Sequence, residues 1–297
     1  MTPALAPGTE VVATDSRKPS PGDLVVFEHP TREDFWLIKR LLSEDGWVVS
    51  DNPEVSQSDS RTLGLIPIEG MLVVVDRLDD DAFNEACRLL TSEDEALARL
   101  VDRWGVPEFW HREPGYPTLV LLILEQQVSL ESGAAMYRRL AALVGEVTAE
   151  SVASTGEEAF RSIGVTRQKT GYLLDLARDV ATGALDLEWL ARAPVEEARN
   201  ALISIRGIGP WTADAYLLSA LRHPDMWPVG DRALQVGVGE ALGMGAPPSE
   251  AELEVIAEPW RPLRAAAARL VWHAYLSARG RVEPADPTRP HGDHDNA

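Results

Sequence analysis

Cysteine is almost absent from this 297-residue chain, which has Cys87 and no other. A lone cysteine excludes an internal disulfide, a four-cysteine iron–sulfur cluster and a cysteine-rich zinc site. It sits in ACRLL, a helix-like run, where a free thiol packs as a small apolar residue. Long apolar runs are missing too. The longest, Leu119 to Leu124, falls far short of the roughly 18–20 residues that span a bilayer. The N-terminus has no basic stretch followed by an apolar one, so no signal peptide is recognisable and a cytoplasmic protein is expected. The six histidines form no ligand set, and His291 and His294 fall in a polar tail, so no metal site is expected. Positive charge is scarce: 28 Lys and Arg against 47 Asp and Glu leave a formal net charge of −19. Non-specific nucleic-acid affinity is mainly phosphate neutralisation, so this balance argues against indiscriminate binding. Distribution matters more than the total. Arg261, Arg264, Arg269, Arg279 and Arg281 fall in a stretch without Asp or Glu, either a local basic face or a solvated helix face.

What is present is ordinary globular composition, 45% apolar and 25% charged, in a chain long enough for one large domain or two. Its character changes near residue 80. Before that, short β-rich runs alternate with turns: DLVVF (23–27), FWLIKRLL (35–42), GWVVS (46–50) and GMLVVVD (70–76). After it the pattern is helical, as in AFNEACRLL, PTLVLLILEQQVS, KTGYLLDLARDVATG and RPLRAAAARLVWHAYLSA, with apolar residues three and four apart. The expected architecture is mainly α: a small β domain over 1–79, a helical domain over 80–281, and a polar, proline-rich tail over 282–297 expected to be disordered.

Residues 202–231 read LISIRGIGPWTADAYLLSALRHPDMWPVGD. A helix ends near Arg206, Gly207 suits a left-handed cap, and Pro210 suits the first turn of the next helix. A turn of small residues followed by a helix N-terminus presents backbone N–H groups to a phosphate without any basic side chain. With the downstream Pro228-Val229-Gly230-Asp231, this pattern resembles the helix-hairpin-helix superfamily of DNA base-excision glycosylases. Blocks at 122–140, 164–177, 183–190 and 257–272 resemble successive parts of its alkylbase branch, which holds the type II 3-methyladenine DNA glycosylases. The resemblance runs from about 81 to 281. It implies an enzyme that hydrolyses the N-glycosidic bond of alkylated bases, of 3-methyladenine and 7-methylguanine type, in duplex DNA. It implies no cofactor beyond a monovalent cation at the hairpin, and neither a membrane nor an obligate protein partner; a monomer is expected.

The resemblance also assigns residues. Gly207, Ile208 and Gly209 would hold a phosphate, assisted by Arg261 and Arg264. Asp231 would stabilise the positive charge that develops on the sugar and orient water; it also precedes ALQVGVGEAL, where it would cap a helix, and both roles can coexist. Trp211 and Trp272 would form an aromatic pocket for a cationic base, or pack in the core, and Tyr216 stands beside them in sequence, with core packing its plainer role. Gln127 falls where the family inserts a wedge into the gap left by an extruded base; alternatively Gln126 and Gln127 bridge helices. Bifunctional relatives carry a lysine where this chain has Trp211, so a Schiff-base route is not expected.

The β domain resembles the signal-peptidase family, closest to proteases proposed to mature nickel-type superoxide dismutase, through residues 21–30, 37–40 and 50–64. Lys39 matches that family's general base, or is an ordinary strand lysine. The family's serine should directly precede Met1, and the sequence as given offers none there, so either the true start lies upstream or the segment is an inactive relic or accessory module. Two other functions stay in view: a Ser/Lys-type peptidase fused to a DNA-binding module, and a non-catalytic helix-hairpin-helix binding protein.

Overall fold

The computed structural model describes residues 5, 11–15, 17–52 and 58–289. The segment around Met1 that bears on the serine, part of the 50–64 block, and residues 290–297 with His291 and His294 lie outside the described residues.

Among the described residues, five short strands form the N-terminal sheet: β1 (Ala13–Thr14), β2 (Leu24–Glu28), β3 (Trp36–Leu41), β4 (Val48–Val49) and β5 (Leu72–Val74), in the order β1-β5-β2-β3-β4 with antiparallel pairing. Alternation sets the faces. In β3, Leu37, Lys39 and Leu41 point inward while Trp36 and Ile38 stay exposed. Val25, Phe27, Leu37, Leu41, Val48, Ile66 and Met71 make a small separate core, beside the one-turn helix α1 (Ser60–Leu63).

The remaining helices are α2 (Asp80–Glu93), α3 (Glu95–Trp104), α4 (Tyr116–Glu125), α5 (Leu130–Val144), α6 (Ala149–Ala153), α7 (Glu157–Ser162), α8 (Arg167–Ala181), α9 (Leu187–Leu190), α10 (Val195–Ser204), α11 (Pro210–Ser219), α12 (Arg232–Ala241), α13 (Glu250–Ala257) and α14 (Arg264–Ser277). The apolar run at 119–124 lies in α4, a helix buried along nearly its whole length; a helix apolar on every side belongs at the centre of a bundle. Around it pack α5, α8 and α11, while α14 packs on α2, α3 and α12, giving two groups of helices with a cleft between them. Gly237 lets α12 approach α14 closely: a Cβ there would lie 2.6 Å from Val271 Cγ1. Cys87 is a core residue, its thiol pushed up to about 12 by burial.

Two expected boundaries shift. Leu78 is fully buried in the helical core and its N–H donates to the Arg222 carbonyl, so the helical unit begins before residue 80. Residues 282–289 stay on the body. Glu283 accepts hydrogen bonds from Trp110 and Arg269, and Arg289 donates to the His111 carbonyl. The composition of residues 282–289 is that of a disordered segment, but these polar contacts hold it.

Candidate active site

The cleft between the helix groups has a volume of about 1460 Å³. One rim is the hairpin. The N–H of Ile208 donates to the Ile205 carbonyl, and Gly207 takes φ +93°, just beyond the end of α10. A Cβ on Gly207 would sit 2.2 Å from Tyr172 Cγ, so both backbone angle and packing demand glycine. Gly209 differs: it caps α11 at φ −89°, with nothing within 4 Å of a Cβ placed on it. Gly209 lines the cleft together with the N-terminus of α11.

Beside the hairpin lies the Glu125–Val128 turn. Gln126 at φ −58°, ψ 128° and Gln127 at φ 58° describe a type II turn, whose third position favours glycine. A side chain there costs about 1–3 kcal/mol. Gln127 is exposed and lines the cleft; Gln126 reaches the hairpin, donating to Gly207 O at 2.8 Å and Thr212 Oγ1 at 3.0 Å. One glutamine therefore bridges the two loops while its neighbour stays open to a ligand.

Asp231 stands on the cleft wall. The N–H of Asp231 donates to the Pro228 carbonyl, so the PVGD turn delivers it to the N-terminus of α12. Its Oδ1 accepts from Ala233 N at 2.8 Å, Leu234 N at 3.0 Å and Trp272 Nε1 at 3.0 Å, and its Oδ2 from Trp211 Nε1 at 3.0 Å. The cap expected from sequence is present, and α11 and α14 each add an indole. Every partner is a donor, the pattern of a carboxylate acting as acceptor. Trp211 and Trp272 are half-buried and line the cleft beside it.

Other residues are placed elsewhere. Tyr216 does not line the cleft: it is 1% exposed, and its hydroxyl accepts the Gly115 N–H at 2.8 Å, tying α11 to the start of α4. One residue on a helix turns the side chain by about 100°, so it is Ala215 that faces the cleft. The arginines of 261–281 form no single basic face. Arg261 and Arg264 both pair with Asp225, Arg269 with Glu283 and Arg279 with Glu240; of the five, Arg281 lines the cleft. Helical spacing scatters them, and acids from other elements meet them. Lys39 is buried on β3, outside the cleft; burial lowers its pKa while Asp59 and Asp51 oppose the shift.

The cleft also holds residues to which the sequence assigned no role. Trp110 meets Trp272 edge to face, centroids 5.7 Å apart at 72°. Glu125, 6% exposed, accepts from Arg112 Nη1 and Nη2, each at 3.1 Å; burial raises its pKa while Arg112 opposes the shift. Lys169 donates to the Leu124 carbonyl at 2.6 Å, its pKa lowered by burial. Arg206 and Arg232 line the cleft as well. Adjacency to Gly207 and to Asp231 was a signal for these two, and Glu125 precedes Gln126 in the 122–140 block; Trp110 had none.

A small-residue hairpin, a helix-capping aspartate following PVG and an aromatic cleft between two helix groups meet in a helix-hairpin-helix arrangement. Residues 120–262 match the model of the HhH-GPD superfamily of base excision DNA repair proteins. It is similar to a DNA-3-methyladenine glycosylase of Bacillus subtilis, 32% identical over 41% of this chain and 41% of the relative. DNA-3-methyladenine glycosylase 2 of Escherichia coli is 27% identical over 52% of this chain and 55% of its own length. The chain spans about half the length of these curated relatives. Among solved structures, a DNA-3-methyladenine glycosidase from Bacillus halodurans aligns with TM-score 0.56 and 28% identity, covering 66% of this chain and 91% of that one. A Schizosaccharomyces pombe 3-methyladenine DNA glycosylase in complex with abasic DNA shares the fold, with TM-score 0.61 at 24% identity over 66% of this chain and 97% of that one.

Proposed function

We propose that this protein is a monofunctional DNA glycosylase that removes alkylated purines from duplex DNA. The observation that carries the reading is the carboxylate of Asp231, held by the indoles of Trp211 and Trp272 in a cleft whose rim is the hairpin.

The steps follow from the groups present. The hairpin amides and the start of α11 hold a backbone phosphate. The Ile208 N–H already donates to the Ile205 carbonyl, so the grip is assigned to the Gly209 amide and the first turn of α11, with a monovalent cation at the hairpin carbonyls as an aid. Arg232 and Arg281 supply local positive charge that an acidic protein needs near DNA, with Arg206 beside them in an ion pair with Asp175 at 2.8 Å. Gln127 fills the stack when the damaged nucleotide turns out, a movement that costs a few kcal/mol. The extruded base, cationic when alkylated at purine N3 or N7, is attracted to the tryptophan faces by about 0.5–2 kcal/mol per contact. The bond from C1′ to the base nitrogen then breaks, its electron pair going to the base and cancelling the positive charge there. Asp231 stabilises the resulting oxocarbenium ion, and water adds at C1′ and gives up a proton.

Trp211 offers no amine, and Lys169, the lysine in the cleft, has its amine bonded to the Leu124 carbonyl. Hydrolysis is therefore assigned rather than Schiff-base chemistry. The proposal takes the protein as a cytoplasmic monomer. Lys39 lies outside this cleft, so no peptidase step enters. The test is release of 3-methyladenine and 7-methylguanine from methylated duplex DNA, followed by chromatography. Failure to release either base refutes the proposal.

A further inference from the structure

We propose that Glu283, in the C-terminal segment, makes the pocket selective for cationic bases by fixing and polarising the Trp110 indole. The inference deepens the glycosylase reading and rests on it for the nature of the bound base.

After α14 the chain stays on the body, and Arg281, Val282 and Pro284 line the cleft. Glu283 accepts from Trp110 Nε1 through one oxygen and from Arg269 Nη1 through the other, both at 2.7 Å. Arg269 also donates to the Glu108 carbonyl at 2.6 Å, and its guanidinium carbon lies 4.7 Å from the Trp110 ring centroid. Trp110 in turn meets Trp272, which holds Asp231. A line of contacts thus runs from the tail to the carboxylate assigned to the chemistry.

The charges along this line explain why an acid is needed. An aromatic face attracts a cation through its electron density. Arg269 already draws on that density at Trp110, and its own charge repels a second cation. Glu283 counters both effects. It pairs with the guanidinium, and as an ionised acceptor of the indole N–H it returns density to the ring. Trp110 is thereby left attractive to a positively charged purine, whereas a neutral purine gains less from the same ring. Glu283 touches no reacting atom; it is a positioning residue acting through Trp110.

Glu283→Gln keeps the size and an acceptor but removes the charge. Single-turnover excision from duplex DNA would be compared for 7-methylguanine, cationic in DNA, and hypoxanthine, which is neutral. The ratio of the two rate constants should fall about three- to tenfold in the variant. Trp110→Phe should lower the same ratio, and adding Glu283→Gln to it should cause no further fall, because the two act as one unit. Quenching of tryptophan fluorescence by 7-methylguanosine and by inosine gives the same comparison without any excision. An unchanged ratio, or equal losses for both bases, in a Glu283→Gln protein with native circular dichroism overturns the proposal, as does wild-type selectivity in Trp110→Phe. If the wild-type protein releases no base, the glycosylase reading fails, and the binding ratio alone decides whether Glu283 tunes the pocket through Trp110.

Discussion

Replacing Asp231 by Asn separates chemistry from structure, and the hydrogen bonds predict both costs. Asn is as good an N-cap as Asp, so an amide oxygen in the Oδ1 position keeps the bonds from Ala233, Leu234 and Trp272. The amide nitrogen then occupies the Oδ2 position and faces the Trp211 N–H, donor against donor. Flipping the amide loses three bonds to regain one, so Trp211 is the group left unsatisfied. In this half-buried setting the loss costs about 1–3 kcal/mol, which in a domain of this size lowers Tm by about 2–12 °C. The chemical cost is larger. Removing one preorganised group that stabilises transition-state charge slows reactions by about 100- to 1000-fold. Thermal denaturation and single-turnover release of 3-methyladenine measure the two quantities on the same preparation. A folded Asp231→Asn protein that excises within tenfold of wild type would refute the assignment of the carboxylate, and an unchanged Tm would refute the hydrogen-bond account of Trp211.

The two hairpin glycines should behave differently. Gly209→Asp meets no steric obstacle and leaves stability nearly unchanged, yet it puts a carboxylate at the phosphate site, so affinity for duplex containing an abasic analogue should drop at least tenfold in a binding titration. Gly207→Ala instead drives a methyl into Tyr172 at a positive φ and should cost at least about 1–3 kcal/mol in denaturant unfolding. Borohydride should trap no covalent enzyme–DNA adduct; efficient trapping would point to Lys169 and contradict the monofunctional reading. A chain starting at Asp80 loses Leu78 from the core and should be about 2–5 kcal/mol less stable than one starting at Asp76, while both excise bases. Equal stability of the two would show that Leu78 contributes nothing to the helical core.

The change from alternating to helical periodicity near residue 80, the hairpin glycines and the PVGD turn were legible because each depends on neighbours in sequence. Period two makes β2 and β3, and a proline after a glycine starts α11. The cap at Asp231 was legible for the same reason, as a carboxylate preceding a helix. What the chain alone left open is what arrives from far along it. The Trp211 indole reaches Asp231 across twenty residues, that of Trp272 across forty-one, and Trp110 meets Glu283 across 173. Tyr216 and Ala215 differ by one position, and only the rotation of α11 against α4 decides which enters the core. Net charge gave no place to the cations, because pairing with Asp225, Glu240 and Glu283 is a property of packed helices. Residues 282–289 have little to bury, and they are held by hydrogen bonds to Trp110, His111 and Arg269. Local sequence sets the backbone of each element; which side chains share a cleft is settled when the helices pack.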